Sequence, residues 1–223
     1  MSSVLVVIPT WKRPKMCARA VDSLLAQSYD DWECVISKNG GTECLGSYVA
    51  ELGPRINDKR IRMLVLPGRG LGYALNQALL PFLAGHQAWA NLEDDDEWDE
   101  DFLNIMIREL CGVDIVHCLQ RQEPMEKQSN GGKMNTTRLT RSNWINWPMC
   151  LFKNRVYKRV GPIAEYAGAS TDWDWHLKCV QAGMEYKFVE KTLVTHHWHG
   201  GNYCTKEKKN AKVLNRIEKG FYQ

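Results

Sequence analysis

Four consecutive acids, Glu93 to Asp96, and a fifth at Glu97 follow directly on the apolar segment Ala88–Leu92. Carboxylates this close repel one another unless a cation or solvent screens them. An acidic cluster at the end of a buried strand points to a hard divalent metal, Mn2+ or Mg2+, held by oxygen ligands. Such an ion keeps positions for water and phosphate oxygens. A solvated acidic loop is the competing reading, because blocks of like charge are usually exposed. A second candidate is Asp172, in Thr171-Asp172-Trp173-Asp174-Trp175. It can act as a general base, or simply complement the dipole of the helix it starts. Histidines cluster in His196-His197-Trp198-His199. They lack the helical HExxH spacing of a metalloprotease. On a strand, 197 and 199 would share one face and 196 the other.

Composition sets bounds on the rest. The 223 residues are 44% hydrophobic and 25% charged, ordinary for a globular chain. No apolar run approaches the roughly 20 residues needed to span a bilayer, and the N-terminus lacks the basic start and apolar core of a signal peptide. The eight cysteines form no CxxC pair, which argues against zinc-knuckle and thioredoxin readings. Several sit in apolar segments, so a reduced, cytoplasmic protein is expected. The net charge of +3 is uneven. Residues 119–142 carry +3 and residues 206–219 carry +4. Both suggest an anionic partner such as nucleic acid, a lipid headgroup or an acidic glycan, with a solvated Lys-rich terminal helix as the alternative for 206–219.

The elements that must position these groups alternate. Val4–Ile8 is β-branched at four of five positions, as in a strand buried on both faces. A helix follows Pro14. Strands are expected over Trp32–Ser37, Ile61–Leu66 and Gln87–Leu92, with helices over Ser47–Leu52 and Gly70–Leu83 between them. This βαβ alternation implies a parallel sheet, with ligands beyond the carboxyl ends of its strands. Pro9-Thr10, Asn39-Gly40 and the acids all fall there. In the second half, a helix over Phe102–Cys111, a strand over Asp114–Leu119, a long polar stretch 120–143 and a β-like Trp147–Phe152 are expected. A helix over Trp173–Ala182, strands over Tyr186–Val189 and Leu193–Trp198, and a terminal helix over Lys206–Gly220 complete the pattern.

Taken in order, five segments resemble the inverting nucleotide-sugar glycosyltransferases of the GT-A fold, family 2 type. They are Val4–Pro14, Ser23–Tyr29 with Trp32-Glu33, Leu71–Ala78, Leu92–Trp98, and Thr171–Trp175 with Gln181-Ala182-Gly183. The resemblance implies an α/β, Rossmann-like, mostly parallel sheet with helices on both faces and a smaller mixed sheet on the acceptor side. It implies a single GT-A domain over 1–223, with 1–98 holding the nucleotide sugar and 99–223 the acceptor. It implies transfer from a nucleoside-diphosphate sugar, UDP by default, to a hydroxyl. Pro9, Thr10, Arg13, Asn39, Arg69, Glu93 and Asp94 would bind the donor. Asp95 and His199 would hold Mn2+ or Mg2+, with Asp96, Glu97 and Asp99 solvated or structural. Asp172 would be the base, and Trp147 and Trp173 would meet the acceptor. A glycan, free or lipid-linked, is the expected acceptor, with hydroxymethylated DNA as the alternative.

The sequence also departs from that pattern. Lys38-Asn39-Gly40-Gly41 stands where the family carries an Asp-Asp-Gly-Ser turn whose second Asp accepts from uracil N3–H. Asn39 can both accept and donate, which leaves room for cytidine. Glu93 replaces the first Asp of the Asp-x-Asp motif, and Thr171 replaces a Glu beside Asp172. These changes keep open a catalytically inactive nucleotide-sugar-binding or glycan-binding module of the same fold. A nucleotidyltransferase would need a Gly-rich loop after the first strand, where Pro9–Pro14 stands instead.

Overall fold

A computed structural model describes residues 3–68, 70–124, 127–165, 170–199, 211–220 and 222. The first half alternates as expected: β1 (Val4–Thr10), α1 (Pro14–Leu25), β2 (Trp32–Asn39), α2 (Leu45–Leu52), β3 (Ile61–Leu66), α3 (Leu71–Phe82) and β4 (Ala88–Asn91). Every residue of β1 is buried, so both faces of the sheet are covered there. β1 pairs in parallel with β2 on one side and β4 on the other, and β2 pairs in parallel with β3. All four strands therefore end on the same edge. Pro14 opens α1 at a position where its missing N–H costs nothing. The helix buries Cys17, Ala20, Val21 and Leu24 along one stripe.

The second half contributes β5 (Asp96–Trp98), α4 (Phe102–Glu109), β6 (Ile115–Glu123), β7 (Lys127–Asn130), α5 (Thr136–Leu139), β8 (Cys150–Lys153), α6 (Asn154–Val160), α7 (Thr171–Gln181), β9 (Tyr186–His197) and α8 (Ala211–Glu218). The sheet order is β3-β2-β1-β4-β8-β6-β9-β5, with β7 on β6. The mixed part is thus continuous with the parallel part. β4–β8, β8–β6 and β9–β5 are antiparallel, whereas β6–β9 is parallel.

Several local expectations are corrected. The two strands anticipated over 186–198 are one, because β9 stays paired with β6 through shifts of register. Trp147–Met149 is a 3-10 turn, and the strand begins only at Cys150. The terminal helix is seen at Ala211–Glu218, and residues 200–210 lie outside the described residues. β5 was not anticipated: acids occupy its start, but burial against β9 outweighs their low strand propensity.

Trp147 and Trp173, expected to face an acceptor, are core residues at 0% and 1% exposure. Trp147 packs against Trp89, Phe152 and Trp175, with ring centroids 5.6–5.9 Å away. Trp173 donates its indole N–H to the Leu139 carbonyl at 2.6 Å. Neither ring has a face left for a sugar, since a large aromatic gains more from core burial than from the surface.

Candidate active site

The acids gather where β1 and β4 end. Thr10, the last residue of β1, donates its hydroxyl to Asp94 Oδ2 at 2.7 Å. Its own oxygen lies 2.7 Å from the Tyr48 hydroxyl, which also accepts the Arg13 backbone N–H. The Arg13 guanidinium donates to Asp94 Oδ1 and Asp95 Oδ2, both at 3.0 Å. Parallel pairing of β1 with β4 dictates this meeting: Val7 sits beside Asn91, so the residues that follow on each strand converge. Pro9 is buried in β1 one residue before. Arg69 lies outside the described residues.

Asp94, Asp95 and Asp96 are each at most 5% exposed. Burial pushes Asp94 up to about 7, against the pull of Arg13, with Asp95 adding to the rise. Burial also lifts Asp96 to about 6, partly offset by His196, whose Nδ1 lies 2.6 Å from Asp96 Oδ1. Glu93 is raised well above the usual carboxylate range by burial and then by Asp95, Asp96, Asp172 and Asp94. Three carboxylic acids held above their ordinary values in one place form a site short of positive charge.

Ligand atoms of Asp95, Asp96 and His196 all lie within 4.8 Å of one another, a grouping able to hold a metal ion. His199 Nε2 is 3.2 Å from Asp95 Oδ2. Sequence reasoning gave Asp96 a solvated or structural place and missed His196. β5 pairs antiparallel with β9 and sets Asp96 opposite His196, a meeting that no local pattern announces. His196 and His199 both reach the acids because β9 ends at His197, so strand alternation no longer governs 199. His197 turns away to Glu97 at 2.7 Å, and Glu97 also pairs with Arg19.

Asp172 lies in the first turn of α7, near enough for its charge to raise Glu93. Its Oδ2 accepts from Asn143 Nδ2 at 2.8 Å and its Oδ1 from the Trp173 N–H at 2.8 Å. Burial raises it to about 6, against those two hydrogen bonds. Asn143 was not anticipated, because its place within a polar stretch gives no hint of a partner 29 residues away. Asp174 faces elsewhere, to Lys178, Arg216 and Tyr222, and so ties α8 to α7.

At the end of β2, Asn39 donates Nδ2–H to the Gly70 carbonyl at 3.3 Å, while its buried Oδ1 has no partner. Lys38 is 1% exposed and donates to the carbonyls of Gly41, at 2.6 Å, and Glu43, which braces the loop. Gly40 has φ +84°, and a Cβ there would sit 2.9 Å from the Trp11 indole nitrogen. The glycine is therefore required twice, for conformation and for space. Trp11 is 42% exposed beside Asn39-Gly40, another group sequence reasoning passed over.

Residues 5–161 match the family described as Glycosyl transferase family 2. A chondroitin synthase of Pasteurella multocida (strain Pm70) is 24% identical over 95% of this chain and 22% of its own length. The chain spans about a third or less of the curated relatives it matches. Among solved structures, S. aureus TarS 1-349 in complex with UDP-GlcNAc superposes with a TM-score of 0.76 at 16% identity, over 97% of this chain and 64% of that one. The mannosyltransferase PcManGT from Pyrobaculum calidifontis, in complex with GDP-Man and Mn2+, gives 0.77 at 18% identity, over 99% and 64%. These likenesses show the GT-A fold. The family match over residues 5–161 shows that the chain belongs to glycosyl transferase family 2.

Proposed function

We propose that the chain transfers a sugar from a uridine-diphosphate sugar to a hydroxyl with inversion, and that Asp172 takes the hydroxyl proton. The observation that carries this reading is the meeting of two acidic groups of different character. One is a cation-seeking cluster at the strand ends. The other is the carboxylate of Asp172, near enough to raise Glu93 and hydrogen-bonded by Asn143. A hydroxyl placed at Asp172 loses its proton to the carboxylate as its oxygen attacks the anomeric carbon, and the nucleoside diphosphate departs on the opposite side. Asn143 and the Trp173 N–H orient the carboxylate for that transfer. Thr10 and Arg13 hold Asp94, and Asn39 offers its unpaired oxygen to the N3–H of uracil.

The donor set fits a hard divalent ion, since Asp95 and Asp96 supply buried oxygens and His196 a nitrogen in one cluster. Asp95 would hold Mn2+ or Mg2+, with Asp96 and either His196 or His199. Bound there, the ion would neutralise the charge growing on the departing diphosphate. The half up to Trp98 is assigned to the donor and the half from Asp99 to the acceptor. A glycan, free or carried on a lipid, is the proposed acceptor. Hydroxymethylated DNA competes with it and would show as retention on DNA that falls steeply with salt. The described cysteines are unpaired, which supports a reducing, cytoplasmic place of action. No helix among the described residues is long and apolar enough to cross a membrane.

Asp172→Asn tests the assignment. It keeps size and one of the two accepted hydrogen bonds but cannot take a proton, so transfer should fall by about 10²–10⁴-fold. Donor affinity should stay near wild type. Equal loss of both would reassign Asp172 to structure. An inactive binding module would instead bind donor and show no metal-dependent hydrolysis in the wild type.

A further inference from the structure

From Lys127 to Ala164 the chain contains no acidic residue. Arg13, Arg55, Arg60, Arg155 and Lys178 each lie within ion-pair distance of a carboxylate. Lys133, Arg138 and Arg141 are exposed, and among the described residues no carboxylate pairs with them. Unmatched cations repel one another and favour an anion from outside the chain.

Their place in the fold gives this charge a use. α5 carries Arg138, and the Leu139 carbonyl accepts the indole N–H of Trp173, the neighbour of Asp172. The chain turns after α5 with Arg141 and Ser142 N–H both donating to the Arg138 carbonyl at 3.0 Å. Asn143 follows at once and donates to Asp172. Three cations thus sit on the short stretch that holds the acceptor-side carboxylate. Arg138 is further fixed, with its guanidinium 4.4 Å from the centre of the buried Trp144 ring. A stacked guanidinium keeps its edge N–H groups free for a planar or tetrahedral oxyanion.

We infer that Lys133, Arg138 and Arg141 bind an anionic group of the acceptor, a carboxylate or phosphate carried on a glycan chain. This rests on the reading of Asp172 as the acceptor-side base. These cations share the stretch that carries Asn143, the partner of Asp172, so they serve the acceptor and not the donor diphosphate. Three cations on one short stretch match one or two anionic groups beside the reacting hydroxyl, which favours a glycan over the longer charged track of a nucleic acid.

The test is calorimetric binding to the full chain with UDP and Mn2+ present. The probes are a hexasaccharide of alternating glucuronate and N-acetylglucosamine, its carboxyl-reduced neutral form, a glycerol-phosphate oligomer, and a twelve-nucleotide DNA strand. At least one anionic glycan probe should bind about tenfold or more tighter than the neutral form, the effect of one hydrogen bond to a charged group. Preference for the uronate or for the phosphate probe then names the source of the charge. K133Q/R138Q/R141Q should abolish the preference. Because Arg138 also packs on Trp144, R141E alone is the second variant, and it should weaken the preference with an unchanged melting temperature. Equal binding of neutral and anionic glycans, variants that keep the preference, or DNA outcompeting both glycans would overturn the inference. So would a parallel loss of UDP affinity, which would place the cations on the donor. If wild type shows the charge preference yet Asp172→Asn keeps full transfer, the reading of Asp172 fails while the anion site stands.

Discussion

Asn143→Ala is the most incisive perturbation of this site. Asn143 touches Asp172 through a single 2.8 Å hydrogen bond to Oδ2, and only the ionised carboxylate gains fully from it. In the native protein burial lifts Asp172 to about 6, and the Asn143 bond restrains that rise. Removing the bond leaves burial less opposed, so the carboxyl should titrate higher still. A hydrogen bond to a charged group is worth about 1.5–3 kcal/mol. Part of this is recovered by water entering the space the amide leaves. A residual of about 1.4 kcal/mol corresponds to about one pH unit. The base works when deprotonated, so activity should rise with pH through about 6 in wild type and through about 7 in the variant. Well above both values the two rates should converge, apart from a smaller loss from poorer orientation. The assay is the pH dependence of kcat/KM for transfer, or of donor hydrolysis, from pH 4.5 to 9 at saturating Mn2+. An acid limb that stays in place while the plateau drops would show that Asn143 positions something other than the group that titrates. An acid limb that moves down would contradict the electrostatic account outright.

Asp95→Ala should remove metal-dependent donor binding and transfer, because Asp95 contacts Arg13 and His199 and belongs to the grouping able to hold a metal ion; wild-type turnover with Mn2+ would refute the metal assignment. Asn39→Asp should weaken binding of both UDP and CDP, since it trades the Nδ2–H bond to Gly70 for two facing oxygens at a cost of about 1–3 kcal/mol. Competitive binding reads this, and a variant that holds UDP more tightly would mean the amide is not oriented by Gly70. Without metal, the protein should melt at lower temperature at pH 8 than at pH 5. Asp94, Asp96 and Asp172 have folded values near 7, 6 and 6, above their unfolded values near 4. The folded state therefore binds more protons between about pH 4 and 7, and stability falls as pH rises through that window. Mn2+ should reverse the trend at pH 8, and melting curves indifferent to both pH and Mn2+ would count against a buried acid cluster.

The strands and helices of the first half are legible in the sequence because each is fixed by local pattern. Val4–Ile8 is apolar throughout, as a strand covered on both faces must be, and Pro14 and the spacing of Cys17, Ala20, Val21 and Leu24 announce the helix after it. Parallel pairing then sends Thr10, Asn39 and the acids to one edge, so their meeting follows from order alone. The family was legible for the same reason, since its motifs keep their order along the chain. Pairings over long separations were not. Asp96 meets His196 across 100 residues, and Asp172 meets Asn143 across 29, through antiparallel pairing and a loop that no local period encodes. Tertiary packing also decided against Trp147 and Trp173, because an aromatic ring carries no sign of which side will close over it. The direction of the Asn39 amide was beyond the sequence as well. Its chemistry permits both donation and acceptance, and only the Gly70 carbonyl brought alongside leaves the oxygen as the end without a partner.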